Sequence, residues 1–167
     1  ILAHVKQRRV IVQAGGCLGM YPRLWAESFA HVYTFEPEPV NFYCLVANCP
    51  SERIIKMQAA LSDQTRTCQI SLGISYNAGA YQMESDAGST LALRLDGLAF
   101  DHIDAIQLDC EGHETKVIAG AISTLIKHRP ALSIENPDEK LTGILEELGY
   151  REVGRCGSMP DVVFAPA

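Results

Sequence analysis

Apolar residues follow two spacings along this chain, in short continuous runs and in longer stretches with a helical repeat. Short apolar runs bounded by glycine, proline or polar residues are typical of buried strands, and apolar positions three and four residues apart are typical of amphipathic helices. The runs predict strands at about 10–14, 31–36, 54–58, 65–72, 102–109, 130–135, 150–155 and 161–165. The helical stretches predict helices at about 19–30, 38–48, 114–128 and 138–148.

The order of these elements predicts the class of fold. Strands that alternate with helices indicate an α/β domain on a mostly parallel sheet, whose ligands bind at the carboxyl ends of the strands. The last two strands are close enough in the chain to form an antiparallel hairpin. Residues 73–89 are rich in Gly, Ser, Asn and Asp and show no period, so we expect the longest loop there, with a role in binding.

Composition narrows the class of partner. The 167 residues are 47% hydrophobic and 20% charged, as in an ordinary globular domain. Fourteen Lys and Arg against 20 Asp and Glu give a net charge of −6, which argues against phosphate-backbone binding as the main task. No apolar run approaches a membrane span and no signal peptide opens the chain, and none of the six cysteines forms a Cys-x-x-Cys pair. We therefore expect a cytoplasmic protein with reduced thiols and no membrane partner.

A glycine-rich loop follows the first predicted strand. Gly15, Gly16 and Gly19 supply a tight turn and allow the backbone to approach a ligand. Glu36 ends the second strand, 21 positions after Gly15. A glycine loop followed by an acid about 20 residues later is typical of adenosine sites, where the carboxylate accepts hydrogen bonds from the ribose hydroxyls.

The spacing of the glycines bears on which nucleotide fits. A dinucleotide fingerprint has the pattern Gly-x-Gly-x-x-Gly, but Cys17 and Met20 stand where its second and third glycines would be. A nicotinamide oxidoreductase remains an alternative function, although the two missing glycines argue against it.

Four blocks of sequence resemble one family, the FkbM-type methyltransferases of the class I S-adenosylmethionine-dependent group. The blocks read QAGGCLG at 13–19, FEPEPVNF at 35–42, ALSD at 60–63 and IQLDCEGHE at 106–114. The resemblance implies a single Rossmann-like domain over residues 1–167, with a mostly parallel seven-stranded sheet and the antiparallel C-terminal hairpin. It further implies methyl transfer from S-adenosylmethionine, with O-methylation of a hydroxyl on a small molecule or sugar as our expectation.

The matched motifs also imply which residues hold the cofactor. They are Gly15, Gly16, Gly19, Gln13, Glu36, Ala60, Asp63 and Asp109. Two positions depart from the family pattern, because Gln13 replaces an acid and Cys17 replaces an asparagine. Gln13 can accept a hydrogen bond but supplies no charge. A catalytically silent nucleotide-binding domain therefore remains a second alternative.

Candidate catalytic groups lie in the last of these blocks. Asp109 ends a strand, so its carboxylate is expected at the functional edge, where it would hold the cofactor's ammonium group or orient the acceptor. His113 would take a proton near neutral pH, and Glu111 is a further candidate. The structural alternatives are a surface histidine and acids that stabilise a helix N-terminus, which we expect of Glu111 or Glu114. Asp109, Glu111 and Glu135 would also suit a divalent cation, but no spacing requires a metal and none is predicted.

Overall fold

The computed structural model describes residues 1–72, 81–155 and 161–167, except for the side chains of residues 81 and 84–86. The strands are β1 Val10–Ala14, β2 His31–Phe35, β3 Ile54–Met57, β4 Ala60–Ser62, β5 Arg66–Leu72, β6 Tyr81–Arg94, β7 Ala105–Leu108, β8 Ala131–Glu135, β9 Tyr150–Arg155 and β10 Asp161–Pro166. The α-helices are α1 Met20–Ser28, α2 Pro39–Asn48, α3 Glu114–Ala119, α4 Ile122–His128 and α5 Glu139–Glu147. Single 3₁₀ turns occur at Leu2–His4 and Leu95–Gly97.

Seven strands form the central sheet in the order β3-β2-β1-β7-β8-β10-β9. The first five of these pair in parallel, and β10 runs antiparallel between β8 and β9. The α/β fold with a mostly parallel seven-stranded sheet and a terminal antiparallel hairpin is therefore confirmed. No helix in the described ranges has the length and apolar character needed to span a membrane.

Alternate residues of the strands divide the core between the two faces of the sheet. Ile11 and Val32 pack with Trp25 and Phe29 of the α1 region on one face. Val12 belongs to the larger cluster on the other face, which includes residues from α3, α4 and α5. This two-residue alternation is the physical reason that short runs such as 10–14 read correctly as strands.

The predicted loop at 73–89 is partly wrong. Residues 81–89 belong to β6, a 14-residue strand that pairs with β5 and β4 in a separate three-stranded sheet, while residues 73–80 lie outside the described ranges. The β5–β6 pair has a bulged register. Backbone pairing between two neighbouring strands needs no strict apolar alternation, so residues 81–89 gave no clear sequence signal for a strand.

The helix predicted over 114–128 is two helices, α3 and α4, because the chain turns at Gly120. A Cβ at Gly120 would lie 2.0 Å from the carbonyl oxygen of Ser62, so only glycine allows this approach to β4. The Asp96 carboxylate then accepts hydrogen bonds from the backbone N–H groups of Ser123 and Thr124 at 3.1 and 2.8 Å. A side chain from outside the helix thus caps α4, which local sequence does not reveal.

The register of the sheet brings chemistry-bearing residues to one edge. Ala14 of β1 lies opposite Phe35 of β2 and Leu108 of β7, and Leu108 lies opposite Ile134 of β8. The next positions on these four strands therefore line up along the carboxyl edge, and they are Gly15, Glu36, Asp109 and Glu135. This row is the frame of the functional site.

Candidate active site

A cleft opens at the carboxyl edge of the sheet, and the space between its walls is about 530 Å³ when open solvent is included. Six of the residues predicted from sequence line it, namely Gly15, Glu36, Ala60, Asp109, Glu111 and His113. Apolar side chains complete the wall, among them Phe35, Leu61, Ile70 and Met83. The cleft therefore joins acidic groups on the sheet edge to an apolar wall that includes the β5–β6 hairpin.

The glycine loop is shaped by contacts within the protein. The N–H groups of Gly15 and Gly16 both donate to the carbonyl oxygen of Phe35, at 3.1 and 3.0 Å. Gly15 has φ +86°, and a Cβ there would lie 1.8 Å from the carbonyl oxygen of Asp109. We expected glycine at position 15 because it leaves room for a ligand. This explanation is incomplete, because a side chain there would first clash with the backbone at the end of the neighbouring strand β7.

Gly16 and Gly19 meet comparable limits. A Cβ at Gly16 would lie 2.7 Å from Oγ1 of Thr34, and one at Gly19 would lie 2.6 Å from Sγ of Cys49 at the end of α2. Gly19 also has φ +95° and occupies the N-cap position of α1. These two glycines allow the loop and α1 to pack closely on β2 and α2. Only Gly15 of the three predicted loop glycines lines the cleft.

Glu36 connects the end of β2 to the glycine loop. It is 4% exposed, and its carboxylate accepts hydrogen bonds from the N–H groups of Cys17 at 2.7 Å and Glu38 at 2.9 Å. Burial raises the pKa of Glu36, and these amide donors act in the opposite direction. Cys17 adopts φ +44°, a left-handed conformation that asparagine adopts more readily than most residues. The departure at position 17 therefore falls where backbone geometry favours the family's residue.

Gln13 lies behind the glycine loop and does not line the cleft. Its side chain is fully buried, and its amide nitrogen donates to the carbonyl oxygens of Gly15 at 2.7 Å and Ala14 at 3.2 Å. Its amide oxygen accepts from the hydroxyl of Thr34. The described geometry makes Gln13 a support for the loop. A direct contact with a cofactor stays a prediction.

Asp63 also lies outside the cleft lining, where it forms a chain with two other residues. Oγ of Ser62 donates to Oδ1 of Asp63 at 2.9 Å, and it lies 3.0 Å from Nε2 of His113. Burial acts to raise the pKa of Asp63, but the hydrogen bond from Ser62 and the charge of Arg66 outweigh it, so the pKa lies below its ordinary value. Ser62, which sequence reasoning missed, therefore connects two predicted site residues.

His113 has a different acidity from the one expected. Burial and the positive charge of Lys116 lower the pKa of His113 to about 4. The expectation of a base that titrates near neutral pH is therefore wrong, because the imidazole is already neutral well below pH 7. The residue does line the cleft, as the sequence motif suggested.

Glu114 does the structural work expected of one of the two acids. It is 5% exposed, and its Oε1 accepts hydrogen bonds from the N–H groups of Cys110 at 2.7 Å and Gly112 at 3.4 Å. These bonds fix the turn between β7 and α3. Glu111 has φ +52° on that turn and lines the cleft, so its position is compatible with a chemical role.

Asp109 and Glu135 form a carboxyl pair on adjacent strand ends. Burial, a hydrogen bond with Asp109 and the negative charges of Asp109, Glu111 and Glu114 raise the pKa of Glu135 to about 8. Asp161 lies opposite Glu135 in the β8–β10 register. Burial and the negative charge of Asp109 raise the pKa of Asp161. Among the described residues, no three His, Cys, Asp or Glu side chains are grouped so that they could hold a metal ion.

Stability is expected to fall with rising pH because of this pair. The folded protein keeps a proton on Glu135 between its ordinary pKa of 4.5 and about 8, and the unfolded chain does not. The free energy of unfolding therefore decreases as pH rises through that interval. In Glu135→Gln the amide donates to Asp109 at every pH, so we expect a flatter pH dependence and higher stability than the wild type at pH 8. Urea unfolding at pH 5 and pH 8 measures this.

A matched control is available on α1. Glu27 is exposed, so Glu27→Gln should follow the wild-type pH dependence. A Glu135→Gln variant whose pH dependence equals that of the wild type would show that the two carboxyl groups do not share a proton.

Ile70 and Met83 were also missed, and the sequence held no signal for them. Both lie on the β5–β6 hairpin opposite each other in register, and both reach the cleft. Their place depends on how the second sheet lies against the first.

The comparisons with known proteins agree with this architecture. A family model described as the methyltransferase FkbM domain matches residues 21–152. The structure is similar to that of a methyltransferase FkbM from Methylobacillus flagellatus KT, with a TM-score of 0.66 and 14% identity over 95% of this chain. The present chain spans 43% of that protein. Comparison with curated protein sequences gives no match.

Two other solved structures share the fold at low identity. One, from Streptococcus mutans, is described as a methyltransferase in complex with SAH, with a TM-score of 0.54 and 8% identity, over 97% of this chain and 89% of that one. The other is the N-methyltransferase NodS from Bradyrhizobium japonicum WM9, with a TM-score of 0.56 and 12% identity, over 98% of this chain and 86% of that one.

Proposed function

This chain belongs to the methyltransferase FkbM domain family, and we propose that it transfers a methyl group from S-adenosylmethionine to a hydroxyl oxygen of a small molecule or sugar. The observation that carries the proposal is the row of Gly15, Glu36 and Asp109 on three adjacent strand ends, all lining one cleft. Residues 1–167 would act as a single cytoplasmic domain. The net charge of −6 supports a small acceptor over a nucleic acid.

The groups that line the cleft fit this cofactor. The Glu36 carboxylate accepts backbone hydrogen bonds from Cys17 and Glu38 and a side-chain hydrogen bond from Asn41, and its remaining lone pair would suit a ribose hydroxyl. Leu61, Ile70 and Met83 offer an apolar wall for a flat base. Asp109 supplies a carboxylate for an ammonium group or for the acceptor. At Gly15 the loop presents only backbone atoms to this edge of the cleft, because glycine has no side chain.

The chain's own residues would contribute mainly position and charge. When bound, S-adenosylmethionine supplies a methyl group that is already activated by the positive sulfur. Holding an acceptor hydroxyl in line with that group accounts for most of the acceleration available here. Asp109 and Glu111 line the cleft as candidate groups to orient the acceptor, and the Asp109 carboxylate would take up the hydroxyl proton.

The two alternative functions can be separated from this one by binding alone. Calorimetric titration with S-adenosylmethionine, S-adenosylhomocysteine and NAD is expected to give binding of the first two and none of the third. Binding of NAD alone would instead indicate a nicotinamide oxidoreductase. Binding of S-adenosylmethionine without turnover over a wide acceptor screen would indicate a silent binding domain.

Asp109→Asn tests the proposed chemistry. The change is nearly isosteric, and the fold should survive because Asp109 is only partly buried. If its charge positions the acceptor or the ammonium group, turnover should fall at least tenfold, which is about 1.4 kcal/mol of barrier. Turnover is measured as S-adenosylhomocysteine released, with an acceptor found in a screen of sugars and small alcohols.

The matched control for this variant is Asp101→Asn, at an exposed position just before β7 and outside the cleft lining. It should leave turnover unchanged. Full turnover in Asp109→Asn would place the reacting centre elsewhere.

A further inference from the structure

The hydrogen bonds around Ser62 determine where the proton of His113 lies. A serine hydroxyl has one hydrogen to donate. Asp63 has a lowered pKa and is ionised at neutral pH, so its carboxylate can only accept. The Ser62 hydrogen is therefore directed to Oδ1 of Asp63, at 2.9 Å. Oγ of Ser62 is left as the acceptor in its 3.0 Å contact with Nε2 of His113.

The imidazole must then carry its hydrogen on Nε2. A neutral histidine has one N–H and one acceptor nitrogen. Because His113 is neutral at pH 7 and Nε2 donates to Ser62, Nδ1 is the acceptor. Among the described residues, Nδ1 has no hydrogen-bond partner. The side chain also forms no cap bond at the N-terminus of α3, although His113 is the N-cap residue.

His113 is tied by a hydrogen bond to the strand that carries part of the apolar wall of the cleft. It lines the cleft together with Leu61, Ile70 and Met83. Ser62, its hydrogen-bond partner, follows Leu61 on β4, so the imidazole is tied to the strand that forms part of this wall. Glu36 stands at the end of β2 and would hold the ribose, which leaves the apolar wall for the base. The imidazole of His113 thus belongs to the same cleft lining as the wall against which a flat base would pack.

We propose that Nδ1 of His113 accepts a hydrogen bond from the exocyclic amine of adenine and so selects adenine over purines with a carbonyl at that position. This inference rests on the proposed cofactor. Ser62 and Asp63 are positioning residues in it, since their hydrogen bonds fix the tautomer. A carbonyl in place of the amine would face the Nδ1 lone pair, leaving two acceptors opposed and both desolvated.

The base preference can be measured without turnover. S-adenosylhomocysteine is compared with its deaminated analogue S-inosylhomocysteine by calorimetry. We expect the wild type to bind the adenine compound about ten- to a hundredfold more tightly. In His113→Phe, which keeps a flat ring but has no acceptor, the ratio of the two affinities should fall to near one. His102→Phe, at an exposed position outside the cleft lining, should keep the wild-type ratio.

The tautomer of His113 can be measured separately from ligand affinity. A purely structural role of Ser62 would not determine which ring nitrogen carries the hydrogen. In ¹⁵N-labelled protein without ligand, the His113 ring should show a protonated Nε2 and an unprotonated Nδ1. Ser62→Ala removes the acceptor that fixes this state, so we expect a mixture of tautomers and a smaller affinity ratio.

The outcomes distinguish this inference from the proposed function. If neither compound binds the wild type, the cofactor assignment fails and the inference with it. If both compounds bind the wild type equally, the inference is overturned while the cofactor assignment stands. A protonated Nδ1 in the free protein would also overturn it.

Discussion

Gly15→Ala is expected to lower the free energy of unfolding by about 2–5 kcal/mol. Two costs add here. A residue with a Cβ at φ +86° is strained by about 1–2 kcal/mol, and the new methyl group would lie 1.8 Å from the carbonyl oxygen of Asp109. That atom belongs to the backbone at the end of β7 and cannot rotate away, so the strand ends must separate at an overpacking cost of about 1–3 kcal/mol. Urea unfolding measures the loss.

Two other glycines separate these costs. Gly112 has φ +90°, but a Cβ there would meet nothing within 4 Å, so Gly112→Ala should show only the strain of about 1–2 kcal/mol. Gly143 lies inside α5 with the same open surroundings, and Gly143→Ala should stabilise the protein by about 0.5–1 kcal/mol. If Gly15→Ala costs no more than Gly112→Ala, the close contact with Asp109 is not a constraint on the loop.

This result would change the role assigned to the glycine loop of this chain. The sequence alone explained Gly15 by a tight turn and by the approach of a ligand to the loop backbone. The structure predicts loss of stability as well, since the glycines are required by contacts between strand ends. Affinity for S-adenosylhomocysteine in Gly15→Ala should therefore be read only at temperatures where the variant is folded.

Glu36→Ala is expected to weaken S-adenosylhomocysteine binding about ten- to a hundredfold, equivalent to about 1.5–3 kcal/mol. The carboxylate would be the charged acceptor for the ribose hydroxyls, and it also holds the Cys17 and Glu38 amides that shape the loop. Removing the carboxylate therefore affects both the contact with the ribose and the shape of the glycine loop beside it. Calorimetry gives the affinity, and urea unfolding gives the accompanying loss of stability.

The control for Glu36 has to be chosen from the structure. Glu38 is the nearest acid in sequence, but it is 8% exposed and caps α2 by accepting from the N–H of Asn41 at 2.6 Å. Its removal should cost about 1 kcal/mol of stability. Glu52, exposed on the turn before β3, is a better match. Equal affinities in Glu36→Ala and Glu52→Ala would reduce Glu36 to a loop-fixing residue.

The sequence alone determined the frame of this protein. Short apolar runs identified β1 at Val10–Ala14 and β8 at Ala131–Glu135, because a buried strand must be apolar wherever helices cover both faces. The motif blocks predicted that Gly15, Glu36, Asp109 and His113 belong to one site, and all four line one cleft. These properties are local or follow from strand order, so they can be read along the chain.

Only the tertiary structure decided how these residues act. The contact between Gly15 and Asp109, the Asp63–Ser62–His113 chain and the reach of Ile70 and Met83 join segments far apart in sequence. The pKa of a histidine depends on burial and on charges from other elements, which is why His113 titrates near 4 and not near neutrality. Desolvation and contact distance depend on three-dimensional packing, and no pattern along the chain encodes them directly.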